Sequence, residues 1–148
     1  MAKVGFMKKK TTKNKGLTIL GKDAAPSRKL ESFPNRTPNR YYIVTLETDE
    51  FTCKCPVTGQ PDFATIRIEY IPDKKIVESK SLKLYFWSFR NKGVFHEHVV
   101  NMMLTDFLKA VDPHWCRITG QFKIRGGITI SVFAEDTKTE DARLSMGI

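Results

Sequence analysis

A thiol and a carboxyl group stand seven positions apart in the stretch Phe51-Thr52-Cys53-Lys54-Cys55-Pro56-Val57-Thr58-Gly59-Gln60-Pro61-Asp62-Phe63. A thiolate is a nucleophile and a carboxyl group can pass a proton, so Cys55 and Asp62 suit nucleophilic chemistry with acid assistance. Pro56, Gly59 and Pro61 forbid a helix here and restrict where the two groups can sit. The spacing alone fits a rigid surface turn equally well. Such a thiol needs its pKa lowered by nearby positive charge or donors, for which Lys54, His96 and the loop amides are candidates. Downstream, His96-Glu97-His98 places an imidazole and a carboxylate where a helical pattern begins. Cys53, Cys55, Cys116, His96 and His98 are also zinc-ligand types. Their Cys-x-Cys and His-x-His spacing departs from structural zinc sites, and a coordinated Cys55 would lose its nucleophilic role. No metal is expected.

The elements that must position these groups follow from periodicity. Residues 41–47 are β-branched and aromatic and read as a first strand. Residues 63–70 alternate Ala64, Ile66 and Ile68 with Thr65, Arg67 and Glu69, the period of a half-buried second strand. In residues 79–91, Leu82, Tyr85, Phe86 and Phe89 form a helical stripe, with Ser79 as N-cap. Leu82, Leu84 and Phe86 also alternate, which leaves a strand open. A second helix spans 96–111, with Val99, Val100, Met103, Phe107 and Val111 facing the core, and Pro113 stops it. Residues 115–124 and 128–133 read as two strands joined across Arg125-Gly126-Gly127, a tight hairpin turn. The tail from Glu135 is expected to fray. The order ββααββ predicts an α+β fold, an antiparallel sheet with both helices on one face and two open edges.

Composition narrows the class. The chain has 148 residues, 41% hydrophobic and 28% charged, which suits one globular domain. The expected division is a basic arm over 1–21 and a single domain over 22–148. No apolar run is long enough to span a membrane, and the lysine-rich start lacks a signal-peptide core, so a cytoplasmic location is expected. Three cysteines give no disulfide framework. The net charge is +9, and seven lysines lie in the first 22 residues, which hold no acid. The excess therefore reads as a solvated arm rather than a nucleic-acid surface, and no aromatic-basic RNA motif accompanies it.

Three motifs carry a family resemblance. Cys55-Pro56-Val57-Thr58-Gly59-Gln60-Pro61-Asp62-Phe63 resembles the nucleophile loop of the 7-cyano-7-deazaguanine reductases, the QueF-type nitrile reductases. Glu78-Ser79-Lys80-Ser81-Leu82-Lys83 resembles their signature hexapeptide, and Phe95-His96-Glu97 is a third match. The similarity runs from about Leu30 to about Phe133 and is to the short, single-module form. It implies the tunnelling fold, a helix after Ser79, and homo-oligomeric rings (stacked pentamers) with sites between subunits. It implies reduction of 7-cyano-7-deazaguanine to the aminomethyl base by NADPH, on the route to the tRNA base queuosine. Cys55 would form a covalent thioimide, Asp62 would deliver a proton to the nitrile nitrogen or take one from the thiol, and His96 would hold substrate or relay a proton. Val77, Glu78, Ser79, His96 and Glu97 would contact the base, with Glu97 accepting from its 2-amino and ring N–H groups. Lys80, Lys83 and Arg125 would hold the cofactor phosphates. No Gly-x-Gly-x-x-Gly follows a strand, so the cofactor would not sit on a Rossmann unit. Cys53 adds a second thiol beside the nucleophile. The rival readings are a zinc-dependent pterin or GTP-ring hydrolase of the same fold and a basic RNA-binding module.

Overall fold

A computed structural model describes residues 24–148, and the basic arm expected over 1–21 lies outside them. The elements in chain order are β1 (Ser32–Pro34), β2 (Val44–Lys54), β3 (Pro61–Ile71), β4 (Lys75–Val77), α1 (Ser79–Trp87), α2 (His96–Val111), β5 (Trp115–Arg125), β6 (Ile128–Thr137) and α3 (Glu140–Ser145). Four long strands form one antiparallel sheet in the order β2-β3-β5-β6, and β1 pairs with β4 in a small second sheet. This is the tunnelling fold, an α+β layer.

Period-two patterning sets the faces. In β3, Ala64, Ile66, Ile68 and Tyr70 are buried, as are Cys116, Ile118 and Phe122 of β5. The opposite face is mostly charged and polar, with Phe63 and Phe133 exposed on it. There Arg67 pairs with Glu47 at 3.3 Å and with Glu69 at 3.2 Å, and Arg117 pairs with Glu135 at 2.7 Å. Such exposed pairs add little stability, about 0 to 1 kcal/mol each, so the apolar face decides the fold.

Helix α2 buries Val99, Val100, Met103, Leu104, Phe107 and Val111 on that face. Glu97 in its first turn and Lys109 in its last complement the helix dipole. Asp112 ends it in the left-handed region at φ 50°, just before Pro113. Phe107 packs edge-on against Tyr70 at 4.9 Å. Truncating it to alanine would cost about 3–5 kcal/mol. Helix α1 buries Leu82 and Tyr85, so the helical stripe, not the alternating pattern, governs this segment.

The path of the chain brings α2 to the Cys55 end of the sheet. After α1, the Lys54 amide donates to the Lys92 carbonyl and the Val94 amide donates back to the Lys54 carbonyl. This clip ties the interhelical loop to the end of β2, so α2 starts beside the turn between β2 and β3.

Several boundaries differ from the sequence expectation. The first long strand begins at Val44 and runs to Lys54, through a register shift between Thr48 and Phe51. The connection between the first two long strands is therefore only residues 55–60. The α1 N-cap is Glu78, whose carboxylate accepts from the Lys80 and Ser81 amides, and the helix ends at Trp87. The small β1–β4 sheet was not anticipated, because Pro34 and the turn before Lys75 mask it. The tail does not fray at Glu135: β6 continues to Thr137, and Ala142 of α3 is buried against Ile71 and Trp115. Among the described residues no helix is long and apolar enough to cross a membrane.

Candidate active site

Cys55 opens the turn between β2 and β3. The Cys55 amide donates to the Gln60 carbonyl at 2.8 Å, and the Gly59 amide donates to the Cys55 carbonyl at 2.9 Å. Gly59 sits at φ 71°, a conformation that glycine adopts without the Cβ penalty. The closed turn aims donors at the sulfur. The Thr58 hydroxyl, the Thr58 amide, the Arg125 guanidinium and the Val57 amide together lower the Cys55 pKa from 9.0 to about 6. Cys55 is half-buried, and these donors favour its thiolate form. Cys53, one turn of pleat earlier, is the opposite case. It is fully buried, and burial, with smaller contributions from the charges of Asp62 and Cys55, pushes its thiol up to about 11. Burial raises the Cys116 thiol as well. All three thiols are free, and one of them is activated.

Asp62 lies in phase with Ala64 and Ile66, so it points to the helix side of β3 and is only 7% exposed. Two elements hold its two oxygens. Arg125 Nη1 donates to Oδ1 at 2.5 Å, and His96 Nε2 lies 3.2 Å from Oδ2. Arg125 reaches this place because the β5–β6 register shifts between Phe122 and Arg125. Gly126 and Gly127 then close the hairpin at φ 60° and 78°. His96, the first residue of α2, lies flat on Phe122 with ring centroids 3.8 Å apart. Thr52 Oγ1 donates to the Asp62 carbonyl at 2.9 Å and ties the end of β3 to β2.

Cys55, Asp62, His96 and Arg125 thus converge at one end of the sheet. The Lys54 and His96 charges are not what lowers the thiol pKa; Arg125 and Thr58 are. Glu97 is exposed at the same helix start, next to Phe95, which is half exposed. Val77, Glu78 and Ser79 lie elsewhere. The Val77 amide donates to the Tyr70 hydroxyl. Tyr70 is eight residues from Asp62 along β3, about 26 Å of extended strand. Arg125 stands with the thiol and not with Lys80 and Lys83. Those two lysines line a cavity of about 660 Å³ between β2 and α1, together with Arg90, Glu50, Phe86 and Trp87. Among the described residues no group of three or more Cys, His, Asp or Glu side chains is placed to hold a metal ion.

Comparison with known proteins decides the family. The family model described as QueF-like protein matches residues 61–141. The NADPH-dependent 7-cyano-7-deazaguanine reductase of Syntrophus aciditrophicus is 64% identical over 122 residues, 82% of this chain and 87% of that protein. The chain belongs to the QueF family. The protein of the same name from Alkalilimnicola ehrlichii is 51% identical over 113 residues, covering 76% of this chain and 88% of that one. Among solved structures, the archaeosine synthase QueF-Like in its apo form superposes with a TM-score of 0.60 at 26% identity, covering 64% of this chain and 92% of that chain.

Within this QueF-family site, sequence reasoning missed Thr58 and Phe122. Thr58 had a readable signal, since a hydroxyl three residues after the thiol in a Pro-Gly turn can fold back onto the sulfur. Phe122 had none beyond its place on the core face of a strand.

Proposed function

We propose that this chain is an NADPH-dependent 7-cyano-7-deazaguanine reductase that works through a thioimide on Cys55. The observation that carries the reading is one thiol with a lowered pKa, joined through Arg125 to the buried Asp62 carboxylate that His96 also contacts. The thiolate adds to the electrophilic nitrile carbon, and a carbon–sulfur bond forms as one C–N π bond breaks. The nitrogen takes its proton from the Asp62–His96 pair, which leaves a thioimide on Cys55. A thioimide carbon accepts hydride more readily than a nitrile carbon does. Two molecules of NADPH, bound in turn, would each supply one hydride, and with a second proton drawn from water through the same pair they complete the four-electron reduction of nitrile to amine. Between the two reductions the carbon–sulfur bond breaks and Cys55 leaves as the thiolate, a good leaving group for the same reason that it is a good nucleophile. The product is the aminomethyl base on the route to queuosine.

The cation set fits a phosphorylated cofactor. Lys80, Lys83 and Arg90 line the β2–α1 cleft, and Trp87 and Phe86 offer flat apolar faces beside them. Lysine and arginine recognise phosphate oxygens, and an aromatic face suits a nucleotide base. Arg125, paired with Asp62 and donating to Cys55, would serve the thiolate rather than the phosphates held in that cleft. Glu97, exposed at the α2 start, is free to pair with the 2-amino and ring N–H of the base, a pairing that rejects bases lacking those donors.

Val77, Glu78 and Ser79 would meet the thiol of a neighbouring copy. The outer strands β2 and β6 leave the sheet open at both edges. Ile124, Ile128 and Phe133 are exposed beside the β5–β6 hairpin. Edge-to-edge pairing into a ring would satisfy the backbone groups of both open edges and close each site between two subunits.

The test is nitrile-dependent oxidation of NADPH, followed by loss of absorbance. Wild type should turn over, and Cys55→Ala should not. Equal turnover by both proteins removes Cys55 as the nucleophile.

A further inference from the structure

Eight aromatic ring pairs lie in contact among the described residues, and seven meet tilted or edge-on, with planes 57° to 83° apart. The pair His96–Phe122 is the exception: its planes are 12° apart and its centroids 3.8 Å apart. Ordinary packing in this core gives crossed rings, so the flat stack calls for a separate cause.

Three features of the chain build it. Phe122 is on the core face of β5 and 2% exposed, so its ring is fixed by its surroundings. Its cross-strand partner is Ala64, which is small and leaves the ring room on the β3 side. Two residues earlier on the same face stands Gly120. A Cβ at Gly120 would lie 2.8 Å from Val100 Cγ2 of α2 and 3.1 Å from the Phe122 ring atom Cε2. Glycine therefore lets α2 approach the sheet closely while the phenyl ring stays flat beneath the helix start. Its φ is not in the left-handed region, so close approach, not backbone conformation, is what selects it.

The imidazole needs such a support. Rotation of a histidine ring about its last bond is broad and weakly restrained, so the backbone of α2 does not by itself fix the ring plane. A single 3.2 Å contact from Nε2 to Asp62 Oδ2 constrains one atom of the ring and not its tilt. One face and one edge are then defined, by Phe122 against the ring and the Asp62 carboxylate at Nε2.

We propose that Phe122 is a positioning residue for the reaction. It holds the His96 imidazole in the plane that keeps Nε2 on Asp62, and Gly120 keeps the phenyl ring flat enough to do so. The inference rests on the reading that His96 and Asp62 handle the proton delivered to the nitrile nitrogen. Displacement of a reacting group by about an ångström can slow a reaction by about a hundredfold, so loss of the shelf should be visible in kcat.

The experiment is a double-mutant cycle on the full chain, read by steady-state turnover of the nitrile with NADPH. Phe122→Leu keeps an apolar side chain of similar reach and removes the flat face. Its kcat should fall by about tenfold or more, while KM for the nitrile moves by less than about threefold. In a His96→Ala background the same Phe122→Leu change should alter kcat by less than about twofold, because the group it serves is gone. Gly120→Ala retains both rings but crowds Val100 of α2 and the Phe122 ring, so it should reproduce the kcat loss by displacing the two rings relative to each other. It is the deciding variant should Phe122→Leu fail to fold. Wild-type kcat in the variant used, or a tenfold loss that persists in the His96→Ala background, overturns the proposal. Absence of nitrile turnover in the wild type is a different failure and overturns the proposed function instead. Alkylation of Cys55 by iodoacetamide serves as the control that the thiol turn is intact in every variant.

Discussion

Replacing Thr58 by valine tests how the reactive thiolate is made. The substitution keeps the shape of the side chain and the backbone amide, and it deletes the hydroxyl that contributes most to lowering the Cys55 pKa. Three other donors remain: the Thr58 amide, the Arg125 guanidinium and the Val57 amide. The four together move the thiol from 9.0 to about 6. Removing the leading one should raise the midpoint by about one pH unit. At pH 7 the thiolate fraction would then drop from about nine-tenths to about half. The direction follows from the ionisation: the nucleophile is present above its pKa and disappears as pH falls through it, so the active range retreats upward in the variant. The assay is the rate of iodoacetamide alkylation at Cys55 against pH, with peptide mapping to separate it from buried Cys53 and Cys116. Arg125→Gln should shift the midpoint in the same direction. A wild-type midpoint near 9, or a Thr58→Val midpoint that stays near 6, would refute the reasoning.

Asp62→Asn should still bind the nitrile base and should turn over more slowly by about 10²- to 10⁴-fold, because the buried carboxyl that works with His96 is gone. Unchanged turnover in a steady-state assay would remove Asp62 from the proton path. Arg90→Ala should raise KM for NADPH and reduce the preference for NADPH over NADH, since it removes a guanidinium from the cleft shared with Lys80 and Lys83. A cofactor preference equal to wild type would place the phosphates elsewhere. Cys55→Ala and Glu78→Gln subunits, unfolded together and refolded as hybrids, should regain part of the wild-type turnover if a site takes its thiol from one copy and its Glu78 from another. No regain would put both groups in one subunit.

Much of this fold is legible in the sequence wherever a single face of an element is buried. Helix α2 shows both of its ends, because its apolar stripe starts at Val99 and Pro113 forbids continuation. The β5–β6 hairpin is readable from Gly126-Gly127 alone. The less legible parts depend on distant partners. The pairing of β1 with β4 joins Ser32 to Val77 and Pro34 to Lys75, and no local pattern signals it. Helix α3 is short and polar, and it holds because Ala142 docks against Ile71 and Trp115. The prolines around Cys55 suggest a longer loop than exists, since Pro61 begins β3 at the edge of its pairing, opposite Lys54.

The site divides along the same line. Cys55 and Asp62 stand out by type and spacing, and the phase of Asp62 with Ala64 and Ile66 already places its carboxyl on the buried face. That His96 would reach Asp62 depends on the clip between Lys54 and residues 92–94, a tertiary feature. Arg125 illustrates the limit most clearly. Its place beside a hairpin glycine pair suggests an exposed phosphate ligand, while one residue of register shift turns it onto Asp62 and toward the thiol.

The central claim, that the Cys55 sulfur bonds to the nitrile carbon, is tested most directly by the intact mass of the protein after incubation with 7-cyano-7-deazaguanine in the absence of NADPH. The account predicts a mass increase equal to one molecule of the nitrile per chain, mapped to the peptide containing Cys55 and missing from Cys55→Ala. A wild-type mass that does not change, or the same increase in Cys55→Ala, would contradict it.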